Sequence, residues 1–464
     1  MCTLASSCCR SCCCSCCRQS PAPPGPGPGH TAGCSPSCLA APVRQPQPLL
    51  RGTAMRTAAV LAVLVVVAAA QSRVEVLPFQ AYKSLDEQYL TASEHRAAIG
   101  GDDDDYDTST LRLVHAIFRH GQRTPADTYP NDPYEKFDFA PVGWGQLTLT
   151  GKRDQYEQGR WLRRRYGRFL GDLYHPDVTT VLSTDVDRTR MSAMLAMAGL
   201  WPPAPEQRWH PTLDWQPVPV RSQPLDKDDL LLVRVPCARY DELRAEVLQS
   251  PPVRALLQDQ GGLLSWLSEQ TGMKIADPDD VQSLYSTLKA EEGYNLTLPE
   301  WTREVYPHAL EHLTAVSFEI NALTREMQRI KGGPLVKQIL EQNTARAAGS
   351  LRPERRRMFV YAGHDSTVSN FLITMGAWDT QIPGYGVLVL VELHEDPVSH
   401  EHGVKLFLRN STAVPPYPLN IEGCGHFCPL KRLTELTRDV IPESLEQACV
   451  AKDPNYTPAP PSGP

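Results

Sequence analysis

Residues 111–118, Leu-Arg-Leu-Val-His-Ala-Ile-Phe, are apolar at nearly every position, the pattern of a strand buried on both faces. A helical spacing follows over 147–170, where Tyr156, Trp161, Leu162 and Tyr166 make an apolar stripe and arginines fill the outward positions. A second short strand is expected at 178–182 and a helix rich in Met and Ala at 187–200. From about Trp215 to Gly333 the helical period persists. Segments 239–248, 253–268, 281–292 and 302–330 read as helices separated by Pro and Gly, with no strand-like run among them. Strand patterns resume at 357–362, 387–393 and 404–408, and a helix at 429–440 closes the series. This order predicts an α/β domain, 111–215 and 331–449, carrying an all-helical subdomain at 216–330. Residues 71–110 read as a lead-in and 450–464 as a flexible tail.

The first 70 residues differ in kind. They hold ten of the fourteen cysteines, no acid and no lysine. The Cys2–Cys17 cluster lacks the paired spacing of a zinc site, so segment 1–54 is read as Cys/Pro-rich low complexity. Met55-Arg56 and the 13-residue apolar run from Ala58 to Ala70 have the build of a signal peptide, 55–70, too short to span a bilayer. The expectation is that translation starts at Met55 and that the upstream segment is absent from the working protein. Beyond residue 70 the even set Cys237, Cys424, Cys428 and Cys449 is compatible with two disulfides, and Asn295, Asn410 and Asn455 head glycosylation sequons. Secretion is expected, with the lysosomal lumen as the alternative. The whole chain carries a net charge of −7. Without its first 70 residues, which contain five arginines, the balance is 41 basic to 53 acidic, or −12. That acidity argues against a nucleic-acid partner. The acidic run Asp102–Asp105 reads as a solvated loop.

The chemistry gathers at three predicted strand ends. Arg119-His120-Gly121-Gln122-Arg123-Thr124-Pro125 follows the first strand. Positive neighbours disfavour a protonated imidazole, so His120 stays neutral, and two guanidiniums attract phosphate oxygens. Ser183-Thr-Asp-Val-Asp-Arg-Thr189 follows the second strand and puts Arg188 in the first turn of a helix. Gly363-His-Asp-Ser366 follows a third strand and opens another helix, with Ser366 as the expected cap. Carboxyl ends of strands converge in open α/β sheets, so the three loops are expected to share a cavity.

With these motifs the chain resembles the histidine acid phosphatase family, especially its prostatic and lysosomal branch. The resemblance also rests on Gly145-Gln-Leu-Thr148, Met191-Ser-Ala-Met194, Thr297-Leu-Pro-Glu-Trp301 and Cys424-x₃-Cys428-Pro-Leu430, and it runs from Leu111 to Cys449. It implies a phosphoglycerate-mutase-like mixed sheet flanked by helices. It implies that His120 is the nucleophile and becomes a phosphohistidine, and that Arg119, Arg123, Arg188 and His364 hold the phosphoryl oxygens. Asp365 is implied as proton donor to the leaving alcohol. The resemblance implies no metal or other cofactor, since arginines serve as the charge clamp. It implies the pairings Cys237–Cys449 and Cys424–Cys428, small phosphate monoesters as substrates, and a homodimer. A third bridge typical of the prostatic type has no cysteines here.

An acidic optimum of roughly pH 4–6 is expected, because a free Asp titrates near ~3.9 and must be protonated to act as an acid. A phytase-like inositol phosphate phosphatase is the alternative within the same chemistry. A catalytically silent secreted binding glycoprotein is the alternative outside it. Retention of both His120 and Asp365 speaks against the silent reading.

Overall fold

The structure is a computed structural model that describes residues 106–457. The signal peptide, the Cys/Pro-rich segment, most of the lead-in and the end of the tail lie outside the described residues. The strands are β1 (Leu111–Arg119), β2 (Thr179–Ser183), β3 (Val220–Arg221), β4 (Met358–Gly363), β5 (Leu388–Glu395), β6 (His402–Arg409), β7 (Tyr417–Leu419) and β8 (Cys428–Pro429). They form one sheet in the order β3-β2-β4-β1-β5-β6-β7, with β8 also paired to β6. Strands β3, β2, β4 and β1 are mutually parallel, whereas β5, β6 and β7 continue antiparallel. The sheet is therefore mixed.

Apolar runs make this sheet because both of its faces are covered. Leu113 and Ile117 of β1, Phe359 and Tyr361 of β4 and Val389, Val391 and Leu393 of β5 point into one core. Val114, Ala116 and Phe118, with Val360, Ala362, Leu388 and Leu390, point into the other. Alternation by two residues with both sets buried is what a central strand requires.

Helices α1 (Leu149–Leu170) and α2 (Asp187–Leu200) cover the second core. Thr148 caps α1, its Oγ1 accepting from the Gly151 N–H at 3.0 Å. Trp161, Leu162 and Tyr166 face inward as the stripe predicts, but Tyr156 is 40% exposed. The next helices are α3 (Ala238–Leu248), α4 (Pro251–Asp259), α5 (Gly261–Thr271), α6 (Pro278–Gly293), α7 (His308–Ile320), α8 (Arg325–Lys331) and α9 (Gly333–Ala347). Then come α10 (Asp365–Thr374), α11 (Leu430–Thr437) and α12 (Leu445–Ala448).

Three departures from the pattern reading have local causes. The helix expected over 302–330 is divided, because Pro307 opens α7 and Thr324 caps α8 by accepting from Met327 N–H. The short strand β3 sits at 220–221, inside the stretch read as free of strands, held by parallel pairing to β2. Helix α9 begins at a Gly-Gly-Pro sequence that looks like a break; proline in the first turn suits a helix start instead. Among the described residues two disulfides are present, Cys237–Cys449 and Cys424–Cys428.

Candidate active site

Strands β1, β2 and β4 end side by side, and each hands its next residue to the same place. Leaving β1, the His120 N–H donates to Gly363 O at 3.0 Å, and Gly386 N–H donates to His120 O at 3.1 Å. The following Gly121 N–H donates to Ser192 Oγ on α2 at 3.1 Å. A Cβ at Gly121 would meet the Gly151 carbonyl oxygen at 2.5 Å, so glycine is needed where the loop crosses α1. After β2, Thr184 N–H donates to Ala362 O at 3.1 Å. Hydrogen bonds between the loops thus fix the candidate site residues relative to one another.

The imidazole of His120 is buried and oriented. Its Nδ1 lies 2.8 Å from Gly121 O, which can only accept, so Nδ1 carries the proton. That leaves the lone pair on Nε2, where Arg188 Nε–H donates at 3.2 Å. Burial first, then Arg119, Arg188, His364 and Arg123, hold the His120 pKa well below the ordinary imidazole value. A neutral ring with a lone pair among guanidiniums has the chemistry of a nucleophile toward an anion.

Arg119 Nη1 donates to Pro383 O at 2.5 Å, its Nη2 lies 2.8 Å from Asp365 Oδ2, and its guanidinium stands 4.5 Å from the centre of the Tyr385 ring. Arg123 Nη1 donates to Thr124 O at 3.0 Å. Among the described residues, the buried Nε–H groups of Arg119 and Arg123 have no acceptor. Arg188, desolvated and beside two other arginines, is lowered to about 10 and still cationic. Buried donors without protein acceptors are places where an incoming oxygen acceptor, such as a phosphate oxygen, can bind.

His364 and Asp365 lie at the start of α10. His364 rather than Ser366 is the cap residue, its N–H donating to Thr367 Oγ1 at 3.1 Å, while Ser366 N–H donates to Asp365 Oδ1. His364 Nε2 is 2.9 Å from Thr184 Oγ1. Burial, helped by Arg188, brings His364 down to about 3, so it is a neutral hydrogen-bonding group beside three arginine cations. Asp365 is lower than an ordinary carboxyl: burial raises it, but Arg119, His364 and the Ser366 N–H outweigh burial. A resting general acid would show the opposite shift.

All six residues singled out in the motifs, Arg119, His120, Arg123, Arg188, His364 and Asp365, interact within this one cluster. The motif reading missed Tyr385, whose ring centre is 5.9 Å from that of His120, and Arg234, which adds positive potential at His364. It assigned no role to Thr184 or Ser192, although both lie in motifs it quoted.

A preorganised histidine with arginines, at the carboxyl ends of a mixed α/β sheet, defines a phosphoryl-transfer type of site. Comparison with known proteins agrees: residues 110–409 match the Histidine phosphatase superfamily (branch 2), and the chain belongs to that family. It is 37% identical to rat prostatic acid phosphatase over 73% of this chain and 89% of that protein. It is 35% identical to human lysosomal acid phosphatase, over 73% of this chain and 80% of that protein. A solved phytase from Citrobacter braakii shares the fold with a TM-score of 0.58 at 16% identity, covering 74% of this chain and all of that one.

Proposed function

We propose that this chain is a secreted histidine acid phosphatase that hydrolyses phosphate monoesters through a phosphohistidine at His120. The orientation of His120 carries the reading: Nδ1–H is committed to Gly121 O, so only Nε2 can attack. Phosphoryl oxygens satisfy the Arg119 and Arg123 Nε–H groups and draw Arg188 away from the Nε2 lone pair. His364 and Thr184 border the same oxygens as neutral hydrogen-bonding groups.

Proton balance explains the acidic preference. A phosphate monoester has its second pKa near ~6, so below that pH it arrives as a monoanion with one proton. As phosphate takes over Arg119, Asp365 loses the cation that keeps it ionised and accepts this proton. Nε2 then bonds to phosphorus, the bond to the ester oxygen breaks, and Asp365 protonates the departing alkoxide. Water attacks the phosphohistidine as the Nε2–P bond breaks, Asp365 takes the water proton and returns it to the departing phosphate monoanion, and His120 is neutral and Asp365 ionised again.

Segment 216–330 supports the mouth of this site in the same reading. Thr287 Oγ1 donates to Asp127 O at 3.2 Å, Tyr294 OH to Ala140 O at 2.7 Å and Tyr134 OH to Thr297 O at 2.7 Å. Two disulfides and exposed sequon residues Asn295 and Asn455 support secretion with glycans there; Asn410 is half-buried. No helix among the described residues is long and apolar enough to cross a membrane. A homodimer remains part of the proposal from family likeness and is checked by sedimentation.

The deciding experiment follows nitrophenol release from nitrophenyl phosphate by wild type and His120→Ala, with acid-quenched labelling of the protein by ³²P. Wild type should turn over and carry acid-labile phosphate, and the variant should lose at least ~10³-fold in rate. Equal rates in both would remove His120 as nucleophile, and activity in neither would favour a binding protein.

A further inference from the structure

Three groups hold the Arg119 guanidinium: Asp365 Oδ2 at 2.8 Å from Nη2, Pro383 O at 2.5 Å from Nη1, and the Tyr385 ring, whose centre is 4.5 Å away. In the proposed reaction the first of these is given up, because phosphate takes over the guanidinium as Asp365 accepts a proton. Arg119 is buried within electrostatic range of Arg188, and like charges at close range repel. Once the carboxylate lets go, the carbonyl and the ring have to keep this cation in place.

Both of those remaining holds come from one short segment, Pro383-Gly384-Tyr385, on the approach to β5. Backbone bonds tie that segment to the end of β1. Arg119 N–H donates to Val387 O at 3.0 Å, Gly386 N–H to His120 O at 3.1 Å and Val387 N–H to Gly384 O at 3.2 Å. Leu388 then continues as the antiparallel partner of Phe118. Gly386 has a φ of +70°, and a Cβ there would stand 3.1 Å from Gln155 Nε2, so the turn that delivers the ring calls for glycine. The ring is therefore fixed against the backbone of the two residues whose side chains it faces, Arg119 and His120, the latter 5.9 Å away between ring centres. Tyr385 is half-buried and Arg119 buried, a setting in which the attraction between a cation and an aromatic face exceeds its value in water.

We propose that Tyr385 is a positioning residue for phosphoryl transfer, its ring face keeping the Arg119 guanidinium turned toward the phosphate when the Asp365 carboxylate releases it. The inference rests on the reading of this site as a phosphatase site. Stacking occupies a face of the guanidinium and leaves free the edge that carries its N–H groups. Pro383 O takes one donor on that edge. Nη2, and the Nε–H that has no acceptor among the described residues, are left for phosphate oxygens. An aliphatic side chain at 385 would fill space without the negative face of a ring.

The test measures kcat/KM for nitrophenyl phosphate and, by calorimetry, the dissociation constant of inorganic phosphate. The full chain carries Tyr385→Phe, Tyr385→Leu or Tyr385→Met, each alone and combined with Arg119→Ala, and melting temperatures show which variants are folded. Tyr385→Leu and Tyr385→Met should each lose about 10-fold or more in both readouts. Tyr385→Phe should keep most of what they lose, because it retains the ring face. With Arg119 already alanine, the aliphatic variants should change either readout by less than about 2-fold. Equal losses in the two backgrounds would make Tyr385 a packing residue and overturn the proposal. So would a Phe variant as damaged as the Leu variant, or no loss in Leu and Met. A wild type that turns nothing over but binds phosphate with the same Tyr385–Arg119 coupling supports the positioning and removes only the phosphatase reading; one that binds no phosphate overturns both.

Discussion

Arg119 Nη2 lies 2.8 Å from Asp365 Oδ2, so the guanidinium proposed to clamp phosphate is also the cation that keeps the proposed acid ionised. In the proposed mechanism this pairing makes Asp365 a switched acid. Its proton affinity is low until an anion competes for Arg119, so the acid is armed only when there is something to protonate. Burial alone would raise Asp365, but Arg119, His364 and the Ser366 N–H together lower it.

Removing the carboxyl while keeping its shape should therefore hurt poor leaving groups most. Asp365→Asn is expected to lose roughly 10²–10⁴-fold in kcat on alkyl phosphates. Nitrophenolate leaves as a stable anion, so the loss on nitrophenyl phosphate should be markedly smaller. Burst kinetics on both substrates, read side by side, check this. An equal loss on the two would mean that Asp365 does not donate the proton.

The pH dependence follows from two groups with different owners. His120 is depressed by burial and by Arg119, Arg188, His364 and Arg123, so it stays neutral as pH falls through ~6.5, where a free imidazole would protonate. No acid limb is expected in kcat/KM near that pH. The alkaline limb belongs to the substrate, whose monoanion loses its proton near ~6. Aryl phosphates with electron-withdrawing substituents have a lower second pKa, and the limb should move down in pH with it. A limb that stayed fixed across such a series would assign it to the enzyme instead.

What was legible in the sequence was local. His120, Arg188 and His364 each sit one to five residues beyond a strand, so a strand pattern and a short motif locate all three. Tyr385 stacks on Arg119 from the approach to β5, a placement created by antiparallel β1–β5 pairing that no local signal announces. Strands β3 and β8, two residues each, are too short to show a period. The charge state of Asp365 was unreadable for another reason. Burial and Arg119 act in opposite directions, and only geometry decides between them.

Glu291, fully buried on α6, is raised to about 8 by burial and by the neighbouring Asp132. A carboxyl raised in the fold contributes its full stability below its ordinary pKa of 4.5 and loses it as pH climbs toward 8. At pH 7 the cost of keeping it protonated is roughly 3 kcal/mol. Glu291→Gln should recover part of that, about 1–3 kcal/mol at pH 7, and almost nothing at pH 4. Urea denaturation at the two pH values measures the difference. A gain of the same size at both would show that Glu291 is not titrating in the fold.

Gly151 tests how far the catalytic loop depends on close backbone packing. In an open helical position, Gly→Ala stabilises by up to ~1 kcal/mol, and Gly262 on α5, with nothing near a built Cβ, should behave so. At Gly151 a Cβ would overlap the Gln122 carbonyl oxygen, which already accepts from Thr148 N–H at 3.0 Å. Since both partners are backbone, the methyl can be housed only by lifting the loop that carries His120 and Arg123. Gly151→Ala is expected to cost roughly 1–3 kcal/mol, and a displacement approaching 1 Å at His120 to lower kcat up to ~10²-fold. Thermal denaturation and nitrophenyl phosphate kinetics on both alanine variants decide it. If Gly151→Ala stabilises as Gly262→Ala does, with kcat intact, the loop is not held by that contact.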